Sequence, residues 1–265
     1  MARVSVSKAW DETKDFIVRE RRLVSPVALA LVFLPTLLFR VFAPQPSMAE
    51  MMAGNYPAWL PWLSYGLLFV QLIGGAALIL MALGSRDPVG ATIVSGFKRA
   101  IVVVLAALLA ALLATPVMIV MLIIAGLAGT MPTNPNSIPP GFMAMVGLMS
   151  ILLGLVVLRM ILFIPAAAAE PIGPWAALKR GWGLGRGNGG RLIVTMVLLF
   201  IGAMAVNYAA TAVVGSLAQL VTGSSQGATL GGILVALVVA ALGAAVFLVQ
   251  YVLLANLYRQ AIADA

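Results

Sequence analysis

The chain has 265 residues, 63% of them hydrophobic and 9% charged, with a mean hydropathy of +1.10 and a formal net charge of +8. A soluble globular domain is excluded, because the polar residues sit in short junctions between long apolar runs and cannot wrap a core. There is no Cys and no His, which removes disulfides, thiolate and imidazole metal sites, haem ligation and the commonest general base. No metal or cofactor is expected, and in such a chain Lys and Arg report orientation and anionic lipid rather than nucleic acid.

Residues 5 to 22 carry Val6, Trp10, Phe16 and Ile17 near a helical period among charged residues, which predicts an amphipathic helix on the membrane surface. The first span is expected from about Val24 to Ala43, kinked at Pro35. The second, about Ala58 to Leu83, opens with Trp59 and Trp62 as an interfacial belt, and Gly74 and Gly75 allow a close helix approach. Val89, Ile93 and Phe97 recur every four residues, so a second interfacial helix is expected before a third span from about Ala100 to Leu127. Residues 128 to 141 hold four prolines and read as a loop. The fourth span covers about Phe142 to Ala169. Ile172, Trp175, Leu178 and Trp182 then mark the apolar face of a third interfacial helix. Span five, about Arg191 to Leu220, and span six, about Leu230 to Tyr258, flank the polar loop at 222 to 229.

The fold class is therefore all-α, a polytopic membrane protein with six transmembrane helices and three interfacial amphipathic helices. Basic residues occur in the segment through Arg22, between Arg86 and Arg99, between Lys179 and Arg191, and at Arg259, while the loops 44 to 57, 128 to 141 and 222 to 229 have none. The positive-inside rule places both termini and the basic junctions in the cytoplasm. Asp87-Pro88-Val89-Gly90 and Glu170-Pro171-Ile172-Gly173 lie at an offset of 83, residue 87 against residue 170. Each precedes an amphipathic stretch, a Lys-Arg pair and a two-span hairpin, which suggests a parallel threefold repeat of units at about 1-84, 85-169 and 170-265 within a single membrane domain.

Between Arg159 and Arg191, the run Arg159, Pro165, Glu170, Gly173, Ala177-Leu178-Lys179-Arg180, Trp182, Leu184 and Arg186-Gly187-Asn188 resembles the bacterial family known as the glycerophosphoryl diester phosphodiesterase membrane domain, with its YciC-like six-span relatives. Gly181 and Gly185 stand where that family carries Ser and Thr. The resemblance implies a six-span topology in the bacterial inner membrane and little about activity, since these 265 residues hold no counterpart of the phosphodiesterase domain.

Two groups of residues are candidate sites. Lys179, Arg180, Arg186 and Arg191, with Trp175 and Trp182 at the headgroup level, would meet anionic phospholipid. Arg159 lies eleven residues before Glu170, about 16 Å into the span, where a charge needs a partner. Glu170, Gln250 and Tyr251 are its candidates, in a network that either pins the third unit or lines a cavity. Asp87 and Glu170, each followed by Pro, read as helix caps and anion partners. The function expected is non-enzymatic: a basic cytoplasmic face that binds phospholipid, in membrane organisation or as the accessory subunit of another membrane protein. The alternative is a small-solute or lipid transporter with a cavity around Arg159.

Overall fold

The computed structural model describes residues 5–44, 46, 50–51, 54–85, 87–130, 139–223 and 229–263. Arg3, Arg86 and most of the loops expected at 128 to 141 and 222 to 229 lie outside them. Among the described residues the chain is helical, with no strand. Six helical stretches are long and apolar enough to cross a membrane, so this is an all-α, multi-pass membrane protein.

Helix α1, Val6–Arg19, starts at Ser5, whose hydroxyl accepts from the Lys8 amide, and gives way at Glu20 to the first span. That span is built in three pieces: α2, Arg21–Ala28; a π-helical turn, Leu29–Phe33; and α3, Leu34–Phe42. Pro35 lacks the N–H that would donate one turn back, so the wide turn takes up the misfit at the expected place. Helix α4 is Leu60–Ala82. Helix α5, Val89–Leu127, is one continuous rod. Its length corrects the expectation of a separate interfacial helix ahead of Ala100: no Gly or Pro breaks the chain between Phe97 and the span, and the hydrogen-bond ladder runs through.

The fourth span is divided into α6, Pro140–Met160, and α7, Phe163–Ala169. Pro165 cannot donate to the carbonyl of Ile161, and the backbone there tightens into i to i+3 bonds from Ile161 to Leu158 and from Ile164 to Ile161. Helix α8, Pro174–Leu184, falls where the third interfacial helix is expected, but its packed face is turned from the one predicted. Ala177, Leu178, Gly181 and Leu184 are buried while Trp175 is exposed. Helices α9, Gly189–Thr222, and α10, Leu230–Ala263, complete the bundle.

The carboxyl-terminal half of α10 is the hub. Every residue from Tyr251 to Tyr258 is buried, because α1, the first span, α4, α7 and α9 pack around it. Its neighbours approach closely. A Cβ on Gly75 would lie 2.2 Å from the ring of Tyr251, and one on Gly74 would lie 3.1 Å from Leu31, so the paired glycines do allow the near contact their sequence suggests. Around this hub α4 packs against α5, α7 against α8 and α6 against α9, while α10 meets both α1 and the first span. The start of α1 and the end of α10 lie together at one end of the bundle. The Ser5 amide donates to Gln260 Oε1 at 3.0 Å, and Arg259 Nη2 meets Glu12 Oε2 at 2.9 Å.

Candidate functional site

The end of the bundle that holds the start of α1 and the end of α10 also holds Arg99 and Arg180 of the basic junctions, and one residue, Glu170, ties them together. Glu170 follows α7, with its backbone extended just after the last helical hydrogen bond. Its Oε1 accepts from Arg180 Nε on α8 at 3.1 Å and from the Tyr258 phenol at the end of α10. Its main-chain carbonyl accepts from Arg99 Nη1 at the start of α5, at 2.8 Å. One residue thus joins α5, α8 and α10. Charge-assisted bonds of this kind are the stronger class of hydrogen bond, and here they hold the ends of three elements together.

Arg159 is arranged differently from the network its depth suggested. Its guanidinium carbon lies 4.3 Å from the centre of the Trp182 ring, a cation–π contact, and no carboxylate is within ion-pair distance among the described residues. Its Nε is buried and has no hydrogen-bond partner there. The turn that carries it is closed in by glycine. A Cβ on Gly185 would fall 2.5 Å from the Arg159 carbonyl oxygen, and one on Gly189 would fall 3.5 Å from Arg159 Cγ. Gly181 is as tightly held, with its Cβ position 2.6 Å from the Phe163 nitrogen. The two positions where the chain departs from the family pattern, Gly181 and Gly185, are thus positions with no room for a side chain.

Gln250 is half-buried and bonds to neither Arg159 nor Glu170, while Tyr251 stacks on Phe247 at 4.3 Å between centroids. The expected group of Arg159, Glu170, Gln250 and Tyr251 does not assemble. In effect the two candidate groups exchange members: Arg180 goes to Glu170, and Trp182 goes to Arg159. The physical reason lies in helix geometry, since residues two apart on α8 point to different sides. Asp87 and Glu170 are not helix caps either. Helices α5 and α8 start at Pro88 and Gly173 with no side-chain cap, and the Asp87 carboxylate accepts from Ser85.

What remains open to solvent or headgroups is a cationic face. Lys179, Arg186, Arg191 and Trp175 are exposed. So are Lys8, Arg21, Arg22 and Lys98 at the same end, and none of Lys8, Arg21, Arg22, Lys98, Lys179 and Arg186 has a carboxylate within 4.0 Å among the described residues.

Sequence reasoning missed a second tie. Asn256, 3% exposed, donates from Nδ2 to Thr13 Oγ1 at 3.0 Å, and Thr13 in turn donates to the Ala9 carbonyl at 2.7 Å. It fastens the surface helix to the hub. Its signal was present: Asn256 is an amide deep in an apolar run, which needs a partner when buried. Among the polar residues inside the spans, Gln71 bonds across helices to Thr36 at 3.1 Å, and Thr211 turns back to the Asn207 carbonyl at 2.8 Å.

Two cavities open at or near this end. One of about 790 Å³ lies between α1, the end of α4 and the start of α5, and is lined by Glu12, Asp15, Asp87 and Arg259 among others. The other, about 1150 Å³, is an apolar groove between α9 and α10. Arg159 lines neither. Comparisons with family models, with curated proteins and with solved structures find nothing that matches this chain.

Proposed function

We propose that this is a non-enzymatic protein of the bacterial inner membrane, with both termini in the cytoplasm, whose basic face gathers anionic phospholipid in the service of membrane organisation or of a partner membrane protein. The observation that carries the reading is the division of labour among the cations. Arg99, Arg180 and Arg259 are engaged within the protein, whereas Lys179 and Arg186, with Lys8, Arg21, Arg22 and Lys98, face outward without carboxylate partners among the described residues. Cations on a membrane's cytoplasmic side gain about 1 kcal/mol each from anionic lipid. Trp175, 60% exposed beside them, suits the headgroup level.

The same geometry gives Arg159 a fastening role. It is stacked and glycine-packed and lines neither of the two cavities described, which favours the phospholipid reading over a transport path at that residue. The topology agrees with the resemblance of residues 159 to 191 to the phosphodiesterase membrane-domain family, and membership of that family is part of the proposal.

The test is native mass spectrometry of the protein in mixed micelles holding equal phosphatidylglycerol and phosphatidylcholine. Wild type is expected to enrich phosphatidylglycerol, and the triple change Lys179→Ala, Arg186→Ala and Arg191→Ala to lose most of that enrichment, with Arg180 left in place to keep the Glu170 tie. Equal lipid ratios for wild type and the triple variant would sink the reading.

A further inference from the structure

We propose that the groove between α9 and α10 seats one acyl chain of a single anionic phospholipid, its headgroup beside Arg191 and the start of α1. The inference rests on the phospholipid reading above and narrows it from a face to one place. The groove has a gradient of polarity along its length. At its surface end stand Ser5 and Ser7 of α1 and Arg191 of α9, and from there inward the lining is apolar apart from Thr195, whose hydroxyl is turned back to the Arg191 carbonyl at 2.7 Å. No Asp or Glu is among the lining residues. An occupant with a negative head and a hydrocarbon tail matches both ends at once.

The dimensions agree. The groove follows α10 from Leu253 to Ala245 and α9 from Arg191 to Val206, about 12 Å and about 22 Å of helix, which bracket the roughly 15 Å of one leaflet's hydrocarbon. Its volume of about 1150 Å³ lies just above the top of the common range of about 300–1,000 Å³ for ligand pockets and is ample for one acyl chain. The concavity comes from small residues, Gly202 and Ala203 on α9 opposite Ala245 on α10, and a Cβ on Gly202 would meet nothing within 4 Å. A second copy's transmembrane helix fits less well. Val6 and Trp10 of α1 belong to the lining at the surface end, so a spanning helix laid along the groove and continuing beyond the headgroups would run against α1.

The experiment uses the same mixed micelles and reads the lipid that survives high collision energy, one per chain in wild type. Gly202→Trp fills the groove without touching a cation and is expected to lower the occupied fraction about tenfold, while the general enrichment of phosphatidylglycerol stays. Gly202→Ala is expected to keep the tightly held lipid. Arg191→Gln is expected to remove its preference for phosphatidylglycerol. Should the Gly202→Trp protein lose its thermal transition, Val206→Trp on the exposed rim of the groove takes its place. A wild type that enriches anionic lipid but holds none tightly overturns the groove and leaves the basic face standing. A tight lipid unaffected by both tryptophans, or a tightly held second protein copy, also overturns it. If wild type enriches phosphatidylglycerol only in its one tight lipid, which responds to Gly202 and Arg191, and not in the remaining bound lipid, the groove stands and the basic-face reading fails.

Discussion

Two stretches of similar hydrophobicity behave in opposite ways. The stretch of α10 from Tyr251 to Tyr258 is buried without exception, whereas α6, from Pro140 to Met160, has no buried residue at all. Both are apolar enough to sit in a membrane. The difference shows that in lipid an apolar helix has little reason to seek protein, since acyl chains solvate it as well as Leu does. What gathers helices around α10 is close packing at small residues together with polar ties at one end: Glu170 with its three partners, and Asn256 with Thr13. The opposite half of the bundle is looser and faces the bilayer.

That contrast breaks most sharply at glycine. Gly75→Leu must displace the Tyr251 ring and is expected to cost at least 3 kcal/mol, at the upper end of overpacking penalties, visible as loss of the thermal transition in detergent. Gly154→Leu on α6, where a Cβ meets nothing within 4 Å, should leave the melting curve within error of wild type. Equal losses would mean that α6 is packed after all.

The next effect is at the polar ties. Glu170→Ala leaves Arg180 and Tyr258 without their shared acceptor, and a loss of about 1–3 kcal/mol is expected, the lower part of that range being appropriate because Arg180 is 41% exposed. Hydrogen exchange should rise in α8 and at the end of α10, while the start of α5 should stay protected because Arg99 bonds to the main-chain carbonyl, which the change leaves in place; an equal rise at the start of α5 would show that the side-chain ties also hold that carbonyl in position. The smallest effect is at Arg259→Ala. Its pair with Glu12 is half exposed, so about 0–1 kcal/mol is at stake. Limited proteolysis within α1 should barely change, because Asn256 still holds the helix.

The amino-acid order revealed six spans, the irregularity at Pro35 and the close approach at Gly74 and Gly75, because apolar length, proline and paired glycines act locally, whereas the break at Pro165 went unpredicted. It did not reveal which charge meets which. Arg180 and Trp182 are neighbours on α8 but face different partners, one toward Glu170 and the other toward Arg159. The choice depends on the rotation of α8, and that is set by Ala177 and Gly181 fitting against the preceding span. Small residues carry this information weakly, since periodicity is read from large ones, and Ile172, Trp175, Leu178 and Trp182 pointed to a face turned from the true one. Arg99 and Tyr258 were hidden for another reason: their partner is distant in sequence, 71 residues away for Arg99 and 88 for Tyr258.

The seat of the Tyr251 ring over Gly75 also acts as a mechanical key. One helical turn away on α4 stand Gln71 and Ile79 rather than a second glycine, so a piston stroke of α10 along α4, about 5.4 Å for a single turn, would drive the ring into a side chain. Sliding is therefore barred along this seam. Any rearrangement that reaches the basic end must carry α4 and α10 as one strut and take up its motion elsewhere, at the π-turned first span or at the break between α6 and α7.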